Sequence, residues 1–287
     1  MTLPDPRTLS AALAADLRLR LAAGLERDRI EARGGCPWLL WGALAAALLG
    51  LALFVLGGYQ AGFLTLNHLA AGWPPGFWEW LTVLGDARLA LALSLFFSLR
   101  HPRLFWALIL AALVATAFTH GLKPWVSAGR PPAVLPLDSF HLIGPALRKS
   151  SFPSGHTVTA AVLLGVGLCF VKGVSARLLL VALAVMVGVS RVAVGVHWPV
   201  DVAAGLTGGW LSAWLGLGLS QRWQGAADNL GVHLVCALLA AGAALMLILT
   251  DGGYAGTRGL QIVMGCAALG WGFSQYLASP LGRILKR

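Results

Sequence analysis

Long apolar runs, each close to the length of a membrane-spanning helix, dominate this sequence. The hydrocarbon core of a bilayer requires about 20 consecutive apolar residues per helix. Hydrophobic residues make up 58% of the chain and charged residues only 11%, whereas a typical soluble domain has about 25% charged residues. The sequence therefore predicts an all-α, polytopic transmembrane helix bundle. Eight predicted spans follow one another: Trp38–Leu56, Phe77–Leu99, Leu104–His120, Ser154–Val171, Leu178–Val196, Val200–Leu219, Leu230–Leu249 and Leu260–Leu277.

The segment before the first span has a different character, because it is polar and rich in arginine. Leucines at four-residue spacing place an apolar stripe on one side of a predicted helix, and arginines supply the charged side. Such an amphipathic helix fits an anionic membrane surface, or the protein's own cytoplasmic loops. The leucines are Leu9, Leu13, Leu17, Leu21 and Leu25, and the arginines are Arg18, Arg20, Arg27, Arg29 and Arg33.

Composition and span count divide the chain into three predicted segments. Residues 1–35 form a cytoplasmic or interfacial amphipathic segment, and residues 36–222 form a six-helix transmembrane core. Residues 223–287 add two C-terminal transmembrane helices and a basic tail. Eight spans would place both termini on the same side of the membrane.

The distribution of lysine and arginine predicts the orientation of the bundle. The first loop on the far side, from about Gly57 to Gly76, contains neither residue, whereas the terminal segments are basic. Cytoplasmic loops carry the excess of positive charge, so both termini are predicted to be cytoplasmic. The net charge of +10 is explained by this bias. No basic stripe with interleaved aromatic residues is present, so no nucleic-acid partner is expected.

Two other sets of residues have simple interpretations. The cysteines Cys36, Cys169, Cys236 and Cys266 show no C-x2-C spacing and read as small apolar residues, without a disulfide or a metal. Asp86 and Arg88 lie inside a predicted span, where charges are usually paired or functional. They form either an ion pair in the outer half of the bundle or part of a substrate cleft.

Polar residues suited to phosphate chemistry occur in three motifs between the third and sixth spans. The motifs read K-x6-R-P, P-S-G-H and S-R-x5-H-x3-D. Under the eight-span topology all three reach the same outer face of the bundle. Their polar members are Lys123 and Arg130, then Ser154, Gly155 and His156, then Arg191, His197 and Asp201.

The three cations and the P-S-G-H motif are typical of an anion site. Arginine binds phosphate oxygens in a fork and lysine acts as a point charge, although outer cations also attract lipid headgroups. The apolar run after P-S-G-H places Ser154 and His156 at a helix N-terminus, where backbone N–H groups favour an anion. Ser154 also fits a plain N-cap, and His156 fits a capping or interfacial histidine.

His197 and Asp201 are four residues apart, so they share one helix face. A carboxylate that accepts the Nδ1 proton fixes the imidazole tautomer and leaves Nε2 free to attack, as covalent catalysis requires. An interfacial histidine beside an N-terminal helix aspartate is the simpler alternative.

Taken together, the three motifs resemble those of the type-2 phosphatidic acid phosphatase (PAP2) family, which includes vanadium haloperoxidases. The resemblance covers about residues 67–219. It implies that His197 is the nucleophile, oriented by Asp201, and that His156 is the general acid. Lys123, Arg130, Ser154, Gly155 and Arg191 would bind the phosphate. The resemblance also implies a phosphohistidine intermediate and no metal cofactor.

This resemblance predicts a bacterial inner-membrane lipid phosphatase with its site at the periplasmic interface. Candidate substrates are undecaprenyl diphosphate, phosphatidylglycerol phosphate, phosphatidate and lipid A 1-phosphate; Arg148 and Lys149 weakly favour a diphosphate. The closest alternative is a phosphotransferase that uses the same intermediate, and a membrane transporter is a more distant one. A zinc hydrolase is disfavoured because three fixed cations would repel the metal, and an acyl hydrolase because the G-x-S-x-G motif is absent. The oligomeric state is left open.

Overall fold

The computed structural model describes residues 5–31, 36–223 and 225–285, and all regular elements among them are helical. A 3₁₀ turn (Ala255–Thr257) precedes α13, and a π-helical stretch (Ser274–Ala278) joins α13 to α14. The prediction of an all-α bundle is confirmed. The helices are α1 (Pro6–Glu31), α2 (Cys36–Gly57), α3 (Phe63–Ala70), α4 (Pro75–Val83), α5 (Ala87–Ser94), α6 (Pro102–Val126), α7 (Pro131–Val134), α8 (Gly155–Leu168), α9 (Val174–Ala193), α10 (Pro199–Arg222), α11 (Gly225–Asp228), α12 (Leu230–Leu249), α13 (Arg258–Phe273) and α14 (Ser279–Ile284).

Helix length and composition support a multi-pass membrane protein. Among the described residues, 5 helices are long and apolar enough to cross a membrane, namely α2, α6, α9, α10 and α12. Helix α8 is apolar but has only 14 residues, and α13 has 16 residues. The eight predicted spans therefore include three whose helices are shorter than a full crossing.

The predicted span Phe77–Leu99 is wrong as a single helix. Helix α4 ends at Val83 and α5 begins at Ala87, so the run is divided into helices of 9 and 8 residues. Asp86 causes part of the break, because its carboxylate caps α5 by accepting the backbone N–H of Arg88 at 2.8 Å. An apolar run by itself does not reveal such an internal cap.

Helix α10 lies at the centre of the bundle, where it packs against α2, α6 and α8. Its glycines allow backbone-to-backbone contact. A Cβ atom added at Gly209 would lie 2.7 Å from the carbonyl oxygen of Val158 in α8, and one added at Gly216 would lie 2.5 Å from the backbone nitrogen of Ala111 in α6. Small residues at helix interfaces permit such close approach in membranes. The first turn of α10, which carries Asp201, is thereby held against its neighbours.

The amphipathic helix α1 packs on the protein itself. Leu17 and Leu21 are buried and share an apolar cluster with Leu99. The carboxylate of Asp28 accepts the backbone N–H of Arg103 at 2.9 Å, at the start of α6. Of the two arrangements considered for this helix, the structure contains the one in which it covers the chain's own loops. Arg33 lies outside the described residues.

The C-terminal helices form a hairpin beside α5. Helices α12 and α13 pack against each other, and both contact α5. The connection between them carries Tyr254, which is buried in a cluster with Val194 and Val196 from the α9–α10 connection. The two C-terminal helices therefore reach the end of the bundle where the third motif lies.

A pair of glycines in α10 tests the close packing. Gly216→Ala should lower the melting temperature of the purified protein, because the new methyl group must push α6 away; overpacking typically costs about 1–3 kcal/mol. Gly218→Ala is the matched control, since a Cβ atom there meets nothing within 4 Å. We expect Gly218→Ala to be neutral or slightly stabilising. Equal melting temperatures for the two variants in detergent would contradict the proposed helix contact.

Candidate active site

The polar residues of the three motifs lie at helix ends that meet at one end of the bundle. Arg130 Nη1 lies 3.0 Å from His197 Nε2, and the backbone N–H of Ser154 donates to the carbonyl oxygen of Asp201 at 3.1 Å. The backbone N–H of His197 donates to the carbonyl oxygen of Arg191 at 3.2 Å. The structure thus joins one or more residues from each motif by direct contact.

His197 and Asp201 form a buried pair at the start of α10. His197 Nδ1 lies 3.2 Å from Asp201 Oδ2, and both side chains are almost fully buried. The same carboxylate accepts the backbone N–H of Trp198 at 2.9 Å. Hydroxyl groups of Ser151 and Tyr59 also donate to it. Because so many donors hold the carboxylate, it can hold the imidazole ring in one orientation.

The hydrogen bonds of His197 determine its tautomer. An arginine side chain has only donors, so Nε2 must accept the hydrogen bond from Arg130. Nδ1 then carries the proton, which it donates to Asp201. The lone pair of Nε2 consequently faces the positive charge of Arg130. An anion bound at Arg130 would meet this lone pair.

Burial also keeps His197 neutral. Loss of hydration lowers the pKa of His197 to about 4, and the charges of Arg130 and Arg191 act in the same direction. Asp201 opposes this shift only in part. At neutral pH the imidazole is therefore unprotonated at Nε2, which is the form that can act as a nucleophile.

Two arginines in the site have no carboxylate partner among the described residues. Arg130 donates to the carbonyl oxygens of Lys149 at 2.8 Å and Ser150 at 3.3 Å. Arg191 is 1% exposed, and its Nη1 bonds to the hydroxyls of Tyr254 at 2.9 Å and Thr82 at 3.3 Å. Its Nε atom is buried without a hydrogen-bond partner. A buried cation with neutral partners and a free donor favours an anionic ligand.

The N-terminus of α8 faces an open space. The hydroxyl of Ser154 does not cap the helix; instead it accepts a hydrogen bond from the Thr157 hydroxyl at 2.9 Å. A Cβ atom added at Gly155 would meet nothing within 4 Å. The first backbone N–H groups of α8 are therefore available to an anion, and the glycine leaves room for it.

His156 and Lys123 reach the site from a separate wall. Both line a cavity of about 410 Å³ between α5, α6 and α8, and both side chains are half-buried. His156 lies close enough to Arg191 for the charge of the guanidinium to act on its imidazole. Neither Lys123 nor His156 makes a side-chain hydrogen bond to another described residue. All eight motif residues thus surround one region, with these two on its cavity side.

Asp86 and Arg88 form an ion pair, and Asp86 also lies at the cavity beside the site. Arg88 Nη2 lies 2.5 Å from Asp86 Oδ2, so the two residues form an ion pair. Asp86 also lines the cavity that contains His156. Arg88 Nη1 bonds in addition to the hydroxyl of Thr250, at the end of α12.

Sequence patterns did not reveal four side chains that support the site. Each of them lies between 50 and 142 residues along the chain from the motif residue that it contacts, so no local spacing indicates them. Two hold Asp201 and two hold Arg191. These residues are Tyr59, Thr82, Ser151 and Tyr254.

Cysteine and metal-binding geometry add little to the site. Within residues 5–31, 36–223 and 225–285, no group of three or more His, Cys, Asp or Glu side chains is arranged to hold a metal ion. Cys169 and Cys236 are buried, and Cys266 is exposed.

Comparison with known families bears on the same part of the chain. The family model described as the PAP2 superfamily matches residues 104–225, which contain all three motifs. The matched segment is less than half of the chain. The lipid A 1-phosphatase of Rhizobium etli is 45% identical over 64 residues, or 22% of this chain. The match spans 26% of the length of that curated relative.

Two solved structures are similar to this chain. The crystal structure of Aquifex aeolicus LpxE has a TM-score of 0.48 and 28% identity, and the match covers 54% of this chain and 92% of that one. The crystal structure of the first transmembrane PAP2-type phosphatidylglycerolphosphate phosphatase, from Bacillus subtilis, has a TM-score of 0.47 and 22% identity. That match covers 63% of this chain and 97% of the other.

The contact between Tyr254 and Arg191 predicts a positioning role for the C-terminal hairpin. Tyr254→Phe removes the hydroxyl that holds Nη1 and keeps the ring. We expect the affinity for orthovanadate, a phosphate mimic, to fall about 5- to 30-fold, because a hydrogen bond to a charged group contributes about 1–2 kcal/mol.

Tyr276→Phe is the matched control for this experiment. Its hydroxyl is also hydrogen-bonded, to Ser98 at 2.7 Å and His233 at 2.8 Å, but away from Arg191. A purely structural role of Tyr254 predicts a lower melting temperature with unchanged vanadate affinity. That result would refute the positioning role.

Proposed function

We propose that this protein is a metal-independent phosphatase that hydrolyses lipid phosphates through a phosphohistidine intermediate on His197. The observation that carries the proposal is the neutral imidazole whose Nε2 faces Arg130, beside the buried Arg191 that has no carboxylate partner. An anionic ligand of these two arginines would lie next to the lone pair of Nε2. The PAP2 superfamily match and the short match to a lipid A 1-phosphatase support the same reaction class.

In the first step, the substrate phosphate binds to the cations and to the N-terminus of α8. His197 Nε2 attacks phosphorus, a P–N bond forms, and the bond to the leaving oxygen breaks. His156 donates a proton to that oxygen as it leaves. Asp201 stabilises the positive charge that develops on the imidazole. The phosphate-binding groups in this proposal are Lys123, Arg130, Ser154, Gly155 and Arg191.

In the second step, water attacks the phosphohistidine. His156, now neutral, accepts a proton from the water, the P–N bond breaks, and inorganic phosphate leaves. His197 returns to its starting tautomer, and no electron donor or acceptor is required. An alcohol or a phosphate group in place of water would give a phosphotransferase, which remains the alternative activity.

The cavity beside His156 supports an amphiphilic substrate. It holds about 410 Å³ and its walls are mostly apolar, with contributions from Ala90, Leu91 and Leu108. A lipid chain can occupy this space between helices while its phosphate reaches the cations. The candidate substrates are undecaprenyl diphosphate, phosphatidylglycerol phosphate, phosphatidate and lipid A 1-phosphate. The short match to a lipid A 1-phosphatase favours the last of these.

A second cavity supports substrates that carry another anionic group. It holds about 400 Å³, and Lys123, Arg148 and Lys149 line it without any carboxylate. Lys123 lines both cavities, so it lies between them. A diphosphate would place its outer phosphate there.

The charge distribution supports a periplasmic site in a bacterial inner membrane. Arg100 precedes the start of α6 and Lys123 lies in its last turn, so the site and the basic N-terminal region are at opposite ends of this helix. A cytoplasmic position for the basic termini then leaves the site on the periplasmic side.

A substrate screen tests the activity. The purified protein, assayed in EDTA against the four lipids, should release inorganic phosphate from at least one of them and should be inhibited by vanadate. Transfer of labelled phosphate to a second lipid, without free phosphate, would indicate the transferase. Flux across vesicles without release or transfer of phosphate would contradict an enzyme.

Two histidine variants test the roles within this reaction. His197→Ala should lower kcat at least about 10⁴-fold on every substrate, because the nucleophile is lost. His156→Ala should lower kcat about 10²- to 10⁴-fold on lipid phosphates but much less on activated aryl phosphates, whose leaving groups need no proton. His68→Ala, at an exposed histidine near the same end, is the control. Equal losses of His156→Ala on both substrate types would contradict the acid role.

A further inference from the structure

A separate basic cavity lies at the end of the bundle opposite the candidate active site. It holds about 400 Å³ between α1, the turn that follows α5, and α13 with its π-helical extension. Among the residues that the structure describes, Arg20, Arg27 and Arg100 line it and no carboxylate does. Helix α6 separates it from Lys123 by roughly 35 Å, at 1.5 Å per residue. A single phosphate group therefore cannot contact both this cavity and the candidate active site.

The arginines of this cavity are held by neutral groups. Both terminal nitrogens of Arg20 donate to Gln275, one to its carbonyl oxygen and one to its side-chain oxygen. Arg27 Nη1 donates to the carbonyl oxygen of Arg100 at 3.3 Å. Neither Arg20, Arg27 nor Arg100 forms a salt bridge to a carboxylate within the described part of the chain. Three positive charges thus line one cavity without a direct carboxylate partner.

Electrostatics within this region also favour an added anion. Burial lowers the pKa of Arg20, and the nearby charge of Arg283 lowers it further, while Asp16 compensates only in part. Asp16 is itself engaged by Arg283 at 2.7 Å. A bound anion would relieve the repulsion among the arginines.

The remaining walls of the cavity are apolar. Leu95, Phe96 and Trp271 line it, and Trp271 is an exposed aromatic residue of the kind enriched at membrane interfaces. Gln275, which orients Arg20, belongs to the π-helical stretch, and single π-helical turns often occur at functional sites. Cations beside an apolar wall at a helix-bundle end match the two parts of an anionic lipid.

We propose that this cavity is a binding site for a phosphate group, carried either by an anionic lipid or by a soluble phosphate, and distinct from the candidate active site. Arg27 and Arg100 contact the phosphate, and Gln275 positions Arg20 to do the same. In the lipid case an acyl chain lies along Phe96 and Trp271. The inference does not depend on the reaction proposed for the other end of the bundle.

Native mass spectrometry of the full-length protein in detergent tests the site. Phosphatidylglycerol is the anionic probe, phosphatidylcholine of the same chain length is the zwitterionic one, and inorganic phosphate is the soluble competitor. The variant carries Arg27→Gln and Arg100→Gln, two exposed positions whose replacement should not disturb folding. Arg18→Gln, an exposed arginine of the same helix outside the cavity, is the matched control.

We expect wild-type protein and Arg18→Gln to bind phosphatidylglycerol at least about ten-fold more tightly than phosphatidylcholine. The reason is that Arg27 and Arg100 attract the net negative charge of the phosphatidylglycerol headgroup. The double variant should lose this preference while keeping its melting temperature. A second outcome is that inorganic phosphate binds to the wild type and not to the double variant, while the wild type shows no preference for phosphatidylglycerol. This outcome would assign the site to soluble phosphate. Equal binding of all probes to wild type and double variant would overturn the proposal.

Discussion

The candidate active site depends on the complete hydrogen bonding of one buried carboxylate. Asp201 accepts hydrogen bonds from four donor groups, and it forms no salt bridge to Arg130 or Arg191. Arg191 and Arg130 remain buried or half-buried with only neutral partners, and the positive charge of the site persists for a ligand. A phosphate group is the natural complement of such a region. The donors to Asp201 are the His197 imidazole, the Trp198 backbone N–H and the hydroxyls of Ser151 and Tyr59.

The helix packing explains why this arrangement is rigid. Asp201 belongs to the first turn of α10, and glycines hold α10 in backbone contact with α6 and α8. The backbone carbonyl oxygen of Asp201 also accepts a hydrogen bond from the backbone N–H of Ser154 in the P-S-G-H motif. The C-terminal hairpin adds Tyr254, which holds Arg191 from outside the segment that matches the PAP2 superfamily model. Parts of the chain far apart in sequence thus position a small number of charged groups.

Several features were predictable because they depend on local sequence. Apolar runs indicated the helices, and the four-residue spacing indicated that His197 and Asp201 lie side by side. They do form a pair, although His197 precedes the first residue of α10. The broken span at Asp86 was not predictable, because a cap inside an apolar run leaves hydropathy almost unchanged. Tyr59, Thr82 and Tyr254 were missed because tertiary packing alone brings them to the site. The catalytic roles and the three-segment division remain predictions.

Trapping of the covalent intermediate tests the central claim most directly. Protein quenched within milliseconds of mixing with a ³²P-labelled lipid phosphate should carry the label on the peptide that contains His197, as an acid-labile and alkali-stable phosphoramidate. His156→Ala should accumulate the label if its absence slows hydrolysis more than phosphoryl transfer to His197. Label on a serine such as Ser154, or turnover with no labelled protein at any time, would contradict the account.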